Sequence, residues 1–182
     1  DPAQAQRLAE MAQHLPVRFE GERIWLDGHD VSDAVRTESA GMAASRVSAV
    51  PAVREALMAL QLGMRRLPGL VADGRDMGTV VFPGAPLKVF LTASAEQRAQ
   101  RRHKQLISKG IPANIDSLLA DLRARDARDT QRSTAPLKAA EDALTLDNSH
   151  LTIEASVTQV LDWWQRSALA LKAPPNASRS QV

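Results

Sequence analysis

The chain has 182 residues, 44% of them hydrophobic and 24% charged, which points to one folded domain rather than a disordered or fibrous polymer. No apolar run approaches the roughly 18 residues that a membrane-spanning helix needs. There is no cysteine, which excludes disulfide scaffolds, thiolate zinc sites and cysteine nucleophiles, and the net charge is only +2.

In chain order, residues 2–14 predict a helix, with Leu8, Met11 and Leu15 at spacings of three and four. Val17–Phe19 and Arg23–Leu26 are β-prone runs around Glu20-Gly21-Glu22 and predict a small antiparallel hairpin. Thr37 can cap a helix running to about Val50. Pro51 opens a second one, with Val53, Leu57, Leu60, Met64 and Leu67 along one face, and Leu67-Pro68-Gly69 stops it. Leu70–Ala72 and Leu87–Leu91 are apolar without alternation, the pattern of strands covered on both faces. Ser94 with Gln97 three residues on predicts a capped helix to Lys109, closed by Gly110. Asn114 or Asp116 opens the next, to about Arg128. Ala143–Leu146 reads as a third strand and Thr152–Leu171 as a final helix. Strands alternating with helices imply a parallel α/β sheet, and ligands of such sheets sit beyond the carboxyl ends of the strands. A site is therefore expected in the segments just after Ala72, Leu91 and Leu146.

The ends carry their own expectations. Asp1 falls inside a helical pattern and is not an initiator Met, so the chain reads as the C-terminal part of something longer. The segment 173–182 is Pro- and Ser-rich and is expected to be a disordered tail.

Three constellations could carry chemistry. DGRDMGT at 73–79 comes directly after the predicted strand, so Arg75 and Asp76 would project from the sheet edge, one able to hold an anion and the other to accept a donor. A glycine turn with a local ion pair is the plainer alternative. In RARDARDTQR at 123–132, Arg125, Asp129 and Arg132 fall on one helical face; Arg128 and Arg132, four apart, form a repulsive pair. Solvated surface charge explains that run as well, since exposed ion pairs contribute little. Arg98, Arg101 and Arg102 place three cations within little more than a turn, which suits an anion or simply a wet face. The chain has 18 Arg against 5 Lys, and guanidinium forks match phosphate and carboxylate oxygens. Taken singly, Ser45 and Arg54 look like ordinary helix positions. His14, His29, His103 and His150 show no metal-ligand spacing, and no metal site is expected. Trp163 and Trp164 read as packing residues of the last helix.

Taken together, VRTESAGMAASRVSAVPAVREAL at 35–57, LPGLVADGRDMGTVVFPGAPLKVFL at 67–91 and RDARDTQRSTAPLKAAEDALTLD at 125–147 resemble the bacterial cytidylate kinases of the nucleoside monophosphate kinase group. The resemblance runs from about Leu15 to Leu161. It implies a three-layer P-loop kinase-type parallel sheet, an inserted monophosphate-binding region of small antiparallel sheet plus helices, and a helical lid at about 98–132. It also implies a division into residues 1–66, the later part of that insert with connecting helices, and residues 67–172, the core with its lid. Ser45, Arg54 and Asp76 look like the family's cytosine-reading residues and Arg75 like its phosphate contact. Arg125 and Asp129 resemble its ribose contacts and Arg132 a further phosphate-side arginine, with Arg125 and Arg132 the expected catalytic cations. Arg98, Arg101, Arg102 and Arg128 resemble lid or phosphate-side residues. The implied activity is phosphorylation of CMP and dCMP by ATP with Mg²⁺, in a cytoplasmic monomer that binds neither nucleic acid nor membrane.

One departure is plain: nothing in these residues matches the family's opening strand and GxxxxGK[ST] phosphate loop, which hold the ATP phosphates. The 182-residue chain by itself is accordingly expected to bind ATP poorly and to transfer no phosphate. Three alternatives stand beside this reading: another small-molecule P-loop kinase, an inactive remnant kept for interactions, or a basic nucleic-acid-binding module built on 98–132. The last is poorly supplied, with only three Phe and three Trp to stack on bases.

Overall fold

The structure is a computed structural model that describes residues 2–172, so the tail expected at 173–182 lies outside the described residues. Residues up to 81 together with 123–137 make one compact unit, and the rest of the described chain makes a second.

The first unit begins with helix α1 (Pro2–Gln13), which packs along α3 (Pro51–Gly63) and buries Ala9 and Ala12, while α3 buries Val53. Between them comes an antiparallel meander of β1 (Val17–Glu20), β2 (Arg23–Leu26) and β3 (His29–Asp30). The expected hairpin is present, in the register Val17↔Leu26 to Glu20↔Arg23. Its two-residue turn works because Gly21 takes a φ of 56°, which a residue with a Cβ resists. The third strand, pairing Trp25 with Asp30, is too short to leave an alternation in the sequence. Helix α2 (Glu38–Val47) starts where expected, because the Thr37 side chain accepts from the Ala40 amide. After α3 the chain runs without regular structure to a single π turn, Met77–Val81, whose Val80 and Val81 amides reach back to the Asp76 carbonyl at 2.9 and 3.3 Å.

In the second unit β4 (Val89–Thr92) pairs in parallel with β5 (Leu144–Asp147), from Val89↔Leu144 to Thr92↔Asp147. Helix α4 (Ala95–Ser108) is capped by Ser94, whose hydroxyl accepts from the Gln97 amide, and it ends before Gly110. Helix α6 (Ile153–Lys172) comes after β5. Ala99, Leu118 and Leu146 are the buried apolar residues here. Helix α5 (Ile115–Gln131) starts in this unit and finishes in the first. It continues a turn past the expected end at Arg128, which places Asp129 on the helix and Arg132 just beyond it.

The α/β class holds, with a small antiparallel sheet, a parallel sheet and several helices. Two details differ from expectation. Leu70–Ala72 does not form a strand: Val71 is fully exposed, and among the described residues no strand lies beside it to take its amides. Nor are the remaining strands covered on both faces, since Leu91 is 59% exposed and Leu144 is exposed as well. An apolar run reports a preference for burial; only a neighbour turns that preference into a ladder.

Candidate functional site

Four short segments of the first unit converge on one cleft of about 260 Å³. The last turn of α2 supplies Ser45 and its C-cap supplies Ser48, and the first turn of α3 supplies Arg54. The turn before the π element supplies Asp73, Arg75 and Asp76, and the end of α5 supplies Arg125, Asp129 and, just past it, Arg132. On α5, Arg125 and Asp129 share a face because they are four residues apart.

Arg54 and Asp76 form the inner ion pair, Nη2 donating to Oδ2, with both side chains largely withdrawn from water. Arg54 also donates from Nη1 to the Ser48 carbonyl at 3.3 Å. Burial, and then the like charge of Arg132, pull the Arg54 guanidinium below its ordinary pKa. An anion placed between these two cations would relieve both effects.

Asp129 is the second hub, at 3% exposure. Its Oδ1 accepts from the Ser45 hydroxyl at 2.9 Å and its Oδ2 from Arg75 Nε at 3.2 Å. The Ser45 oxygen in turn accepts from Arg128 Nη1 at 3.0 Å, so its own proton is committed to Asp129 in this state. Arg125 Nε lies 3.8 Å from Asp129 Oδ2, close enough for charge attraction but too far to bond, and it stays buried without a hydrogen-bond partner. Burial first, then the charge of Arg75, lower the Arg125 pKa against the opposing pull of Asp129. Gly41 makes room for this side chain: a Cβ there would stand 3.1 Å from Arg125 Nη1.

Arg132 is held on two of its three nitrogens. Nε donates to the Ala135 carbonyl at 2.7 Å and Nη1 to the Ser48 hydroxyl at 3.2 Å, while Nη2 is buried with no partner. Ala135 adopts a left-handed φ of 47°, a conformation that costs a non-glycine residue roughly 1 kcal/mol or more. The cleft thus carries Arg54, Arg75, Arg125 and Arg132 against Asp73, Asp76 and Asp129, with two buried donors, Arg125 Nε and Arg132 Nη2, waiting for an acceptor. Leaving such donors unpaired is unfavourable, so the arrangement favours a small ligand that brings anionic oxygens.

Seven of the residues singled out in the sequence line this cleft: Ser45, Arg54, Arg75, Asp76, Arg125, Asp129 and Arg132. Arg128 does not line it but bonds to Ser45. Arg98, Arg101 and Arg102 belong to the second unit. There Arg98 Nε donates to the Ala93 carbonyl at 3.1 Å, Arg101 bonds Asn148 through its side chain and its carbonyl, and Arg102 Nη1 donates to Gln105 Oε1 at 2.9 Å. Sequence reading missed Ser48 and Asp73; the available signal for Ser48 was its position three residues after Ser45 on the same helical face.

Residues 1–166 match the family described as Cytidylate kinase. The chain belongs to the cytidylate kinase family. It is 57% identical over 164 residues to the cytidylate kinase of Cupriavidus necator, an overlap that covers 90% of this chain and 74% of that protein. The cytidylate kinase of Bordetella bronchiseptica is 59% identical over 158 residues, or 87% of this chain and 71% of the other. That of Ralstonia pickettii is 56% identical over 173 residues, covering 95% and 75%. Cytidylate kinases are phosphotransferases with a P-loop nucleoside monophosphate kinase fold, and the α/β architecture of this chain is consistent with it. Membership does not favour the readings as another small-molecule kinase or a nucleic-acid-binding module.

Mg²⁺ is the metal that the resemblance implies. Among the described residues no group of three or more His, Cys, Asp or Glu could hold a metal ion, so this part of the chain does not fit a protein-built Mg²⁺ cage. No helix among the described residues is long and apolar enough to cross a membrane.

Proposed function

We propose that the family activity here is phosphorylation of CMP and dCMP, with ATP as donor and Mg²⁺ arriving on the donor's phosphates, and that the cleft of the first unit is the monophosphate pocket; the 182 residues, which lack a GxxxxGK[ST] loop, supply this pocket and by themselves transfer no phosphate. The observation that carries the reading is the juxtaposition in one cleft of the buried Arg54–Asp76 pair with two buried, partnerless guanidinium donors.

Cytosine presents an amine donor beside two acceptors, and a guanidinium next to a carboxylate is its complement. Arg54 occupies only one carboxylate oxygen of Asp76, so the other can accept the amine while Arg54 donates to an acceptor of the ring. Uracil would set its carbonyl against that carboxylate. Ser45 would have to release its proton from Asp129 to join the reading. Arg125 and Asp129 then face the ribose, and Arg75 and Arg132 the phosphate, with Arg132 Nη2 and Arg125 Nε supplying charge to the transferring group. Positioning and charge cancellation are most of what phosphoryl transfer asks of a protein. The reading takes the enzyme to be a cytoplasmic monomer.

Calorimetric titration of the 182-residue chain tests the pocket. CMP and dCMP should bind, and UMP should bind at least about tenfold more weakly, the cost of one unpaired buried polar group. UMP binding as tight as CMP binding, or no CMP binding by a chain whose circular dichroism shows the helices formed, overturns the reading.

A further inference from the structure

We propose that Ser48 is a positioning residue of the pocket: its hydroxyl fixes the Arg132 guanidinium so that Nη2 is presented to the phosphate of the bound mononucleotide. This rests on the proposed phosphate-side role of Arg132.

Ser48 caps the C-terminus of α2, its amide donating to the Ala44 carbonyl at 2.8 Å. Its hydroxyl proton goes to the Ser45 carbonyl at 3.1 Å, which leaves the oxygen's lone pairs as acceptors. Arg132 Nη1 donates to that oxygen at 3.2 Å. Because a guanidinium is planar and rigid, fixing Nη1 on Ser48 and Nε on the Ala135 carbonyl determines where Nη2 points. Nη2 is the atom without a partner. The contact is one rung of a small ladder: Ser45 near the end of α2 and its C-cap Ser48 receive Arg128 near the end of α5 and Arg132 just past it. Arg132 also faces the like charge of Arg54, which lowers the Arg54 pKa. Without an acceptor at position 48, that repulsion drives the Arg132 fork away from the cleft and the fixed donor is lost.

Ser48 touches the base side only through its backbone, where the carbonyl accepts from Arg54 Nη1. Side-chain substitution leaves that bond in place. The role of the hydroxyl is therefore separable from base reading, and a general structural role would not produce that separation.

The test measures CMP, UMP and cytidine affinity of Ser48→Ala, Ser48→Thr and Ser48→Val, with melting curves to confirm folding. Thr and Val have the same shape and differ in the hydroxyl, so the pair reports even if the alanine variant folds poorly. Ala and Val should weaken CMP and UMP together by about fivefold to tenfold, leaving the CMP-to-UMP ratio and cytidine affinity near wild type, and Thr should restore CMP binding. Equal CMP affinity in Thr and Val, or equal losses for CMP and cytidine, overturns the role of Ser48 while leaving the pocket reading intact. Absence of CMP binding by the wild type removes the pocket reading, and this proposal falls with it.

Discussion

Among the described residues four polar ones are buried, Ser45, Asp76, Asp129 and Ser149, and three of these line the cleft. Buried polar groups need partners, and here the partners come from far along the chain: Asp76 is 22 residues from Arg54, and Asp129 is 84 from Ser45. That distance explains why Ser45 and Arg54 looked ordinary in the sequence. A hydroxyl in an Ala-rich helix and a cation on an amphipathic one acquire meaning only from contacts that no local spacing contains, and the family resemblance supplied what spacing could not. Arg125 and Asp129 were legible as neighbours because helical geometry links i and i+4, yet the same geometry allowed a plain surface pair. In the structure Asp129 is buried and attracts Arg125 while leaving its Nε unbonded, so the pair is not a solvated surface pair. At this scale the sharpest prediction concerns Asp76. Asp76→Ala strands the largely buried Arg54 charge, so the protein should lose about 3 kcal/mol of stability in urea melts. CMP affinity should fall and the CMP preference over UMP should narrow, as read by calorimetry on the folded variant. Selectivity unchanged in Asp76→Ala would take Asp76 out of base reading.

At the scale of elements, what was legible was what is local. Three helix starts expected from the sequence, Thr37, Ser94 and Asn114, accept from the amide three residues on, because a short side-chain oxygen ahead of a helix satisfies an orphan donor with no help from the rest of the fold. The strand expected at Leu70–Ala72 failed for the opposite reason, since a strand is completed by a neighbour and apolar content alone cannot supply one. The turn after β5 shows local and distant bonding joined. Asp147 accepts from both the amide and the hydroxyl of Ser149, which hold its carboxyl below the ordinary range, and the Ser149 oxygen accepts from the Ser94 amide at 2.9 Å. Ser94 thus meets the turn after β5 through its backbone and caps α4 through its side chain. Ser94→Ala removes only the cap, so it should cost about 1 kcal/mol in denaturant melts, and Ser94→Asp, another capping residue, should recover most of that. A loss well above about 2 kcal/mol for the alanine variant would mean that the backbone bond to Ser149 had gone as well.

At the scale of the whole molecule, the apolar core is thin. Of the buried hydrophobic residues, three are alanines (Ala9, Ala12 and Ala99), and Val53, Val81, Leu118 and Leu146 complete the set among the described residues. Phe19, Leu91, Ile153, Leu161 and Trp164 are largely exposed. Apolar burial contributes about 25 cal/mol per Å², so a core of small side chains leaves a modest margin in which a bound ligand counts for much. A ligand that binds only the folded form at a hundred times its dissociation constant adds about 2.7 kcal/mol. Every residue lining the cleft belongs to the first unit, so the added stability is expected there. Hydrogen exchange with and without CMP measures it segment by segment. Protection should rise in residues 38–57, 73–81 and 123–137, which carry the Ser45–Asp129, Arg54–Asp76 and Ser48–Arg132 bonds, and it should rise little in β4, β5 and α6. Cytidine, lacking the phosphate, should give less protection around Arg132 than around Asp76. An equal gain throughout both units would show that CMP stabilises the chain as one cooperative body, and that the cleft does not confine the effect to the residues that form it.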